Sequence, residues 1–442
     1  MSENDEVARQ HAVIAVARSR PEAARTDHPD AQWFGGAGLG FFVHWGISSV
    51  AGTGDLSWAM MARDGYRAAQ SNAHGLYAVQ ATMTPRDYWA QAARFDAARY
   101  DPRKWVAAMR TAGASYAVLT TRHHDGFALW PSAHGDFSTR NFLGGRDLVG
   151  EYVAACRDAG LRVGLYYSPP DWRFQQDRMS FRYGEGPRLD IDHKPAPAPR
   201  FSPEEDAAHR ARCHAYVAGQ ITELLTRYGR IDLLWLDGSI DGAMSLAQVR
   251  ALQPGIVVNR RGHGEGDFET PECRFPAERP AGWWEYCHIW NDGAWGYLSH
   301  ETYKPAGWML TEYARARAWG GNFLANVAPD SAGELPPTAY ARLAEAAAWR
   351  EHSGESVAPD VAPGAWPHHA SVPETVKDGV RYLHCGFTDD GRIEARTETT
   401  PASVRLLRTG EDIPFRVRGS ILSLTVLEPM RTLLVDVVAV RY

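Results

Sequence analysis

The sequence predicts an α/β fold in which a parallel β/α barrel precedes a small all-β domain. Apolar strand-like runs alternate with amphipathic helical segments in four units between Leu39 and Gly238, which is typical of a parallel sheet with right-handed crossovers. The number of units and the length of 442 residues favour a barrel over an open sheet. Beyond Pro363 the pattern changes to short alternating runs separated by Gly and Asp turns. We therefore predict a barrel over residues 1–355 and a β domain over residues 363–442.

The first predicted strand is Leu39–Gly46, which ends in His44 and Trp45. A single histidine at a strand end is often structural, so His44 gains interest only if other strands end in the same way. The chain from Gly46 to about Pro85 has no clear period and is interpreted as a long loop. Long loops after barrel strands often line sites.

The segment from Pro85 to Gly113 has helical spacing and predicts two helices. The following strand, Tyr116–Phe127, runs into His123, His124 and Asp125. Adjacent histidines on a strand point to opposite faces, so we expect that they do not bind one metal ion together. The two histidines and Asp125 are instead expected to hydrogen-bond vicinal hydroxyls of a ligand, with a purely structural network as the alternative.

Two further strand and helix units follow. A helix from Asp147 to Gly160 leads into the strand Leu161–Ser168. The proline-rich residues 184–201 are interpreted as an excursion or lid. Ser202-Pro203-Glu204-Glu205 has the form of a capping box and begins a helix that extends through Tyr228.

The fourth predicted strand is Leu233–Gly238, in which one acidic residue, Asp237, directly precedes a glycine. Strand-end carboxylates in parallel α/β folds often carry catalysis, although an aspartate before a turn glycine can also simply cap the turn. The strand Gly255–Arg261 is followed by a loop rich in acids, which includes Glu272 and Trp284-Glu285. A closing strand at Gly320–Pro329 and a helix from about Thr338 to Arg350 complete the predicted barrel.

The composition excludes several classes of function. The formal net charge is −6, from 47 basic and 53 acidic residues, so no cationic field is expected to attract nucleic acid or a membrane surface. Residues 1–20 lack the continuous apolar core of a secretory signal, and no other segment is apolar enough to span a bilayer. Five scattered cysteines favour neither a disulfide framework nor a zinc site: Cys156, Cys213, Cys273, Cys287 and Cys385. We expect a cytoplasmic protein and leave its oligomeric state open.

Polar residues at successive strand ends should converge on one face of the barrel. They are His44, His123, His124, Tyr166, Asp237, Asn259 and Arg261. The chain has no nucleophile elbow, phosphate loop, HExxH motif or dinucleotide fingerprint, so carboxylates are the obvious catalytic groups. Two carboxylates among aromatic and hydroxyl-binding side chains are typical of the active site of a glycosidase. A distance of about 5–5.5 Å between the two carboxyl groups would predict a retaining mechanism. The acid needs a raised pKa, which a tryptophan-lined site can supply by desolvation.

Five separated motifs resemble glycoside hydrolase family 29, the α-L-fucosidases, in the order that the family has them. They are Phe42-Val-His44-Trp45-Gly46, His123-His124-Asp125-Gly126-Phe127, Gly164-Leu-Tyr-Tyr-Ser168 with Asp171-Trp172, Leu234-Trp235-Leu236-Asp237-Gly238, and Trp284-Glu285 leading to Trp295-Gly296-Tyr297. The resemblance extends from about Trp33 to Pro329. It implies a (β/α)8-like TIM barrel with a C-terminal β-sandwich domain, and a retaining exo-α-L-fucosidase that acts on a fucosylated glycan or glycoside without cofactor or metal.

The resemblance also implies roles for individual residues. Asp237 would be the nucleophile, and Glu272, in Gly266-Asp-Phe-Glu-Thr-Pro-Glu272, would be the acid/base, with Glu285 as the second candidate. The sugar-binding residues would be His44, Trp58, His123, His124, Tyr166, Trp235, Arg261 and Trp284.

One motif departs from the family pattern. This chain has Ser57-Trp58 where many members have Glu-Trp. Either Asp55 replaces the missing acid or the preference shifts to a related sugar such as L-galactose. A catalytically silent sugar-binding protein on the same scaffold is a further alternative.

Overall fold

The chain folds into a closed barrel of parallel strands followed by two antiparallel sheets. The structure is a computed structural model that describes residues 25–54, 56–62, 83–183, 186–261, 264–291, 293–300 and 303–442. The barrel strands are β1 (Leu39–Val43), β2 (Tyr116–Arg122), β3 (Arg162–Tyr167), β4 (Leu233–Leu236), β5 (Val257–Val258), β6 (Phe268–Glu269), β7 (Trp283–Ile289) and β8 (Asn322–Val327). Their order is β5-β4-β3-β2-β1-β8-β7-β6, and a parallel bridge between Asn259 and Phe268 joins the two ends. The predicted barrel is confirmed.

Helices cover most of the outside of the barrel. They span Pro85–Ala90, Pro102–Ala112, Thr139–Phe142, Leu148–Asp158, Pro203–Thr226, Leu246–Leu252, Ala306–Ala318 and Pro337–Ser353. The described residues between β5 and β6 and between β6 and β7 form no helix, so the barrel is (β/α)8-like and not a complete (β/α)8 barrel. None of the described helices has the length and apolar character that crossing a membrane would need.

The sequence signals at the helix ends are confirmed where the prediction was most specific. Ser202 Oγ accepts a hydrogen bond from the backbone N–H of Glu205, and the Glu205 carboxylate accepts one from the N–H of Ser202. Asp147 caps the helix that follows it through the N–H of Gly150 at 2.8 Å. These caps satisfy backbone donors that the first helical turn leaves unpaired.

Several elements were missed or assigned wrongly, among them β6, which also lies in the predicted acidic loop, and the short helix Thr139–Phe142. Trp283–Ile289 was predicted as part of an acidic loop, but it forms β7, which is buried on both faces. Glu285 interrupts the apolar run in sequence, and its side chain is accommodated inside the barrel by neighbouring donors. The helix Ala306–Ala318 has no polar face for a period analysis to detect, because most of its residues are buried. The helix Leu246–Leu252 was also not predicted.

Side-chain alternation on the strands decides what faces the barrel interior. The interior is filled mainly by large side chains, among them Phe42, Tyr116, Tyr166, Trp235 and Phe268. Glycine makes room where these rings approach a strand backbone, since a Cβ on Gly40 would lie 2.3 Å from the Tyr116 ring. On β7, Glu285 and Cys287 face inward, whereas Trp284 packs with the residues outside the barrel wall.

The C-terminal region forms a β-sandwich, as predicted. One sheet has the order β13-β16-β11-β10-β9 and the other β12-β15-β14. The strands are β9 (Ala362–Pro363), β10 (Glu374–Lys377), β11 (Val380–Cys385), β12 (Arg392–Arg396), β13 (Ser403–Leu406), β14 (Phe415–Arg418), β15 (Ile421–Thr425) and β16 (Asp436–Arg441). The indole of Trp349, on the last barrel helix, donates to the carbonyl of Val435 at 2.7 Å. The limits 1–355 and 363–442 stay predictions.

Candidate active site

Asp237 follows β4 directly and lies at the carboxyl end of the barrel. Its Oδ1 accepts a hydrogen bond from Arg261 Nε at 2.9 Å, and its Oδ2 accepts one from the Tyr166 hydroxyl at 2.8 Å. His124 Nε2 lies 3.6 Å from the same Oδ2. The next residue, Gly238, has φ of 140°, and a Cβ there would lie 2.6 Å from the ring of Pro170. Glycine is therefore needed for the turn that presents Asp237.

Asp237 is held as a carboxylate. Burial on its own would raise the pKa of Asp237, but the charge of Arg261, with contributions from His124, His123 and Tyr166, outweighs burial and holds the pKa well below its usual range. The side chain is still 15% exposed. An ionised, partly accessible carboxylate at this position is equipped to act as a nucleophile.

Arg261 connects Asp237 to the predicted acid/base. Its Nη1 lies 2.6 Å from Glu272 Oε2 while its Nε contacts Asp237. Glu272 is brought there because the chain after β6 continues beside β7, where Glu272 pairs with Cys287 in a parallel bridge. Its side chain is 20% exposed. The site therefore contains two carboxylates on one guanidinium.

Glu285, the second candidate for the acid/base, lies deeper in the barrel interior and is fully buried. Tyr116 donates its hydroxyl to Glu285 Oε2 at 2.6 Å, and the Trp235 indole donates to Oε1 at 3.0 Å. Burial raises the pKa of Glu285 to about 7, which is the direction that a general acid needs. Both oxygens are occupied by protein donors, however, so the structure does not bring this carboxyl to the Asp237 site.

The two adjacent histidines converge, and the expectation that they point apart was wrong. β2 ends at Arg122 with a shift in register, so His123 and His124 lie beyond the regular strand. One potential ligand atom from each of them and one from Asp237 lie within 4.8 Å of one another. The geometric reason for excluding a shared metal ion therefore does not hold in this chain.

Each histidine of the site is oriented through its Nδ1. His44 Nδ1 is 2.6 Å from Asn326 Oδ1, and His123 Nδ1 is 2.6 Å from Ser57 Oγ. His124 Nδ1 is 2.5 Å from Ser168 Oγ. Burial lowers the pKa of His44 to about 4, so this ring is neutral at pH 7. A neutral ring with Nδ1 engaged presents Nε2 to a ligand.

Aromatic rings form the floor and one side of the site. Tyr166 stacks on Trp235 at 5.5 Å and on His123 at 5.7 Å between ring centroids. The guanidinium of Arg261 lies 5.2 Å from the Trp235 ring centroid. Trp58 meets His124 edge to face at 5.8 Å. Such surfaces suit the apolar face of a sugar, with polar groups nearby for its hydroxyls.

Trp284 is the predicted sugar-binding residue that the structure does not bring to this cluster. It is buried on the outer side of β7, where it packs edge to face with Phe275 at 5.9 Å. It also lies so close to Gly321 that a Cβ there would come within 2.2 Å of its ring. The inward neighbour of Trp284 on β7 is Glu285, so strand alternation turns this indole away from the site.

Asp125 has a structural role, which corrects the expectation that it binds hydroxyls of a ligand. Its carboxylate accepts hydrogen bonds from the Tyr88 hydroxyl at 2.9 Å and from the N–H of Phe127 at 2.8 Å. Burial raises the pKa of Asp125 to about 6. Ser57 accepts from the N–H of Asp125, so the residue found in place of an acid supports His123. Asp55, the possible replacement for that acid, lies outside the described residues.

Two residues of the site were not singled out from the sequence. Asn326 on β8 holds His44 and donates its amide to the carbonyl of Trp295 at 2.7 Å. Ser168, just after β3, holds His124. Both stand at strand ends, which was the signal used for the other residues, but a serine and an asparagine there also fit ordinary turn chemistry.

The proline-rich excursion packs against the long loop that follows β1. Ala62 pairs with Arg182 in a parallel bridge, and His193 Nε2 lies 2.8 Å from the carbonyl of Met60. Arg86 and Asp192 form an ion pair at 2.6 Å. These contacts join the β1 and β3 loops on the side of the site where Trp58 lies.

Comparisons with known proteins agree with this architecture. Residues 7–355 match the model of the family described as Alpha-L-fucosidase. The rat tissue α-L-fucosidase is 27% identical over 411 residues, which cover 86% of this chain and 82% of the relative. The α-L-fucosidase of Dictyostelium discoideum is 25% identical over 350 residues, 74% of this chain and 70% of the relative.

Solved structures are similar over almost the whole chain. α-L-Fucosidase isoenzyme 1 from Paenibacillus thiaminolyticus superposes with a TM-score of 0.72 at 26% identity, covering 93% of this chain and 98% of that one. The α-fucosidase of Thermotoga maritima has a TM-score of 0.70 at 26% identity, covering 94% and 97%. The similarity therefore includes both the barrel and the C-terminal sandwich.

Proposed function

The chain belongs to the α-L-fucosidase family, and we propose that it is a retaining exo-α-L-fucosidase in which Asp237 is the nucleophile and Glu272 the acid/base. The observation that carries this proposal is the pair of carboxylates on Arg261, at 2.9 Å and 2.6 Å. Carboxyl groups that share one guanidinium favour the short spacing of retaining enzymes, about 5–5.5 Å, over the longer spacing of inverting ones.

In the first step, Asp237 attacks the anomeric carbon and a covalent glycosyl ester forms. The bond from that carbon to the leaving oxygen breaks, and Glu272 gives its proton to this oxygen. In the second step, the Glu272 carboxylate removes a proton from water, which attacks the same carbon and releases Asp237. Two displacements at one carbon retain its configuration.

The ion pair between Arg261 and Glu272 sets a condition on the first step. The leaving oxygen must receive a proton from the carboxyl group of Glu272, but in the site without substrate this carboxyl group contacts the positively charged Arg261. We infer that substrate binding separates Glu272 from Arg261, while Arg261 Nε keeps its contact with Asp237. His44, His123 and His124 offer nitrogen atoms for the sugar hydroxyls, and Tyr166 and Trp235 offer an aromatic surface beneath it.

Replacement of the nucleophile tests the assignment of Asp237. We expect Asp237→Gly to lower turnover of an aryl α-L-fucoside by several orders of magnitude, with an unchanged circular dichroism spectrum, because the covalent step is lost. NMR of the first product formed by the wild type should detect the α anomer. Near-normal turnover of Asp237→Gly, or a β product, would refute the nucleophile or the retaining mechanism, respectively.

Chemical rescue separates the two candidate acids. Glu272→Ala should lose most turnover of substrates with poor leaving groups, because their departure needs the general acid. With an activated aryl α-L-fucoside the glycosyl ester still forms, and external azide should restore turnover because a small anion can react with the ester without a general base. Glu285→Gln is the control, since this side chain is buried and bound on both oxygens. Azide rescue of a Glu285 variant, with Glu272→Ala active, would move the role to Glu285.

The family match supports fucose over L-galactose and an enzyme over a silent sugar-binding protein. Parallel assays with aryl α-L-fucoside and aryl L-galactoside measure this preference directly. We keep the cytoplasm as the proposed location because all five cysteines are free thiols and four of them are buried. Fractionation of the source cells tests the location.

A further inference from the structure

Three potential metal ligands meet at the nucleophile. One ligand atom from each of His123, His124 and Asp237 lies within 4.8 Å of the other two. Both histidines have Nδ1 in contact with a serine hydroxyl, at 2.6 Å for Ser57 and 2.5 Å for Ser168. A hydrogen-bond partner on the far ring nitrogen is nearly universal among metal-binding histidines, because it fixes the ring and its tautomer.

The hydrogen bonds of Ser168 determine the tautomer of His124. The Ser168 hydroxyl donates to the carbonyl of Pro170 at 2.9 Å, and a carbonyl can only accept. Its single proton is then used, so the contact with His124 requires that Nδ1–H of the ring donates to Ser168 Oγ. A neutral His124 therefore carries a lone pair on Nε2, which faces Asp237 Oδ2 at 3.6 Å. A proton on Nε2 would pair this nitrogen with the Asp237 carboxylate, and a metal cation can take the place of that proton.

The hydrogen bonds of Ser57 allow the same tautomer in His123. Ser57 Oγ accepts from the N–H of Asp125 at 2.9 Å, and its own proton can be donated to Tyr88, which lies within hydrogen-bonding reach. The Tyr88 proton in turn is donated to Asp125 Oδ2. Ser57 can then accept from Nδ1–H of His123, which leaves a second lone pair on Nε2.

The charges around the cluster leave one carboxylate oxygen available. Arg261 binds Asp237 through Oδ1, on the side away from the His124 contact. Oδ2 receives one hydrogen bond, from Tyr166, and an oxygen of a carboxylate has two lone pairs. Two imidazole nitrogens and one carboxylate oxygen thus lie within 4.8 Å of one another.

We propose that His123 Nε2, His124 Nε2 and Asp237 Oδ2 bind a divalent transition-metal cation of the Zn²⁺ class, and that the bound ion inhibits the enzyme by occupying its nucleophile. Two nitrogens and one oxygen with an open fourth position are a donor set that Zn²⁺ takes readily, whereas Mg²⁺ prefers six oxygen ligands. Zn²⁺ bonds are about 2.0–2.2 Å long, so the three atoms would move closer together on binding. The binding itself does not depend on the proposed function; only the inhibition does.

Calorimetric titration of Zn²⁺ into the full chain, after treatment with a chelator and desalting, tests the binding. We expect one site that Mg²⁺ does not fill, loss of that site in Asp237→Ala, and an affinity about 10–100-fold lower in Ser168→Ala, the usual effect of removing a partner behind a ligand. Cys213→Ser is the control for binding to a thiol, because Cys213 is the cysteine that is not buried. Unchanged Zn²⁺ affinity in Asp237→Ala, or loss of binding in Cys213→Ser, would overturn the proposed site.

Kinetics test the inhibition separately. Zn²⁺ should raise the apparent KM for an aryl α-L-fucoside without changing kcat, and a chelator should restore the original KM. A Zn²⁺ effect on kcat alone would overturn the competitive mechanism. Zn²⁺ binding that depends on Asp237, in a protein that hydrolyses no glycoside, would uphold the metal site and refute the proposed function.

Discussion

The buried Glu285 should make the stability of the protein depend on pH in a way that Glu285→Gln removes. Burial raises the pKa of Glu285 from 4.5 to about 7, and the donors from Tyr116 and Trp235 only partly oppose this shift. The folded protein therefore holds this proton more tightly than the unfolded chain does. The contribution to the free energy of unfolding is complete below pH 4.5, falls as the pH rises toward 7, and is lost above it.

The expected size follows from the pKa difference. Each pKa unit corresponds to about 1.4 kcal/mol, so the loss between acidic and mildly alkaline pH is about 3 kcal/mol. A domain as large as this barrel changes its Tm by roughly 2 °C per kcal/mol. Between pH 4.5 and pH 8, the Tm of Glu285→Gln should accordingly rise by about 4–6 °C relative to the Tm of the wild type. Calorimetry at several pH values measures both.

A matched control is Glu351→Gln, an exposed glutamate on the helix Pro337–Ser353. It should follow the wild type at every pH. Parallel Tm profiles for the wild type and Glu285→Gln would refute the argument, because they would mean that Glu285 has the same pKa in the folded and unfolded chain. A loss of turnover in Glu285→Gln at a pH where its Tm equals that of the wild type would show that this carboxyl takes part in the reaction.

Two further substitutions test the packing and the orientation of the site. Gly321→Ala should lower the free energy of unfolding by about 1–3 kcal/mol, measured as a fall in Tm, because the new Cβ would lie 2.2 Å from the Trp284 ring. Gly46→Ala is the control, because nothing lies within 4 Å of a Cβ at that position. Equal Tm values for the two variants would contradict the close approach at Gly321. Asn326→Leu should lower kcat/KM about tenfold or more, chiefly by raising KM, since one buried hydrogen bond to His44 is lost; an unchanged KM would contradict this role.

The strand ends of the barrel could be predicted from the sequence because each one combines an apolar run with a polar residue and a glycine. Asp237 is the clearest case, and the structure places it beside Arg261, the polar end of the next strand. This success depends on a property of the fold. Parallel strands of a barrel all end at the same face, so side chains distant in sequence are brought together without any knowledge of the loops.

The choice between Glu272 and Glu285 could not be made in the same way. It depends on which face of β7 is inside the barrel, and the acidic residues of that segment predict a loop instead of a strand. Once β7 is a strand, alternation directs Glu285 inward and Trp284 outward, and neither side chain is among the groups around Asp237. The position of Glu272 depends on a parallel bridge to Cys287 outside the regular strands, for which no periodic signal exists.

Asp237 and Glu285 show how the charge of a neighbouring donor changes the pKa of a carboxyl group in this barrel. Asp237 and Glu285 each accept a hydrogen bond from a tyrosine hydroxyl, at 2.8 Å and 2.6 Å, and burial raises the pKa of both. The pKa of Glu285 stays high because its two donors are neutral, whereas Arg261 adds a full positive charge at 2.9 Å from Asp237 and reverses the direction of the shift. The different charge of their donors thus gives these two carboxyl groups pKa shifts of opposite direction. The cation that lowers the pKa of Asp237, Arg261, is the one that also binds Glu272.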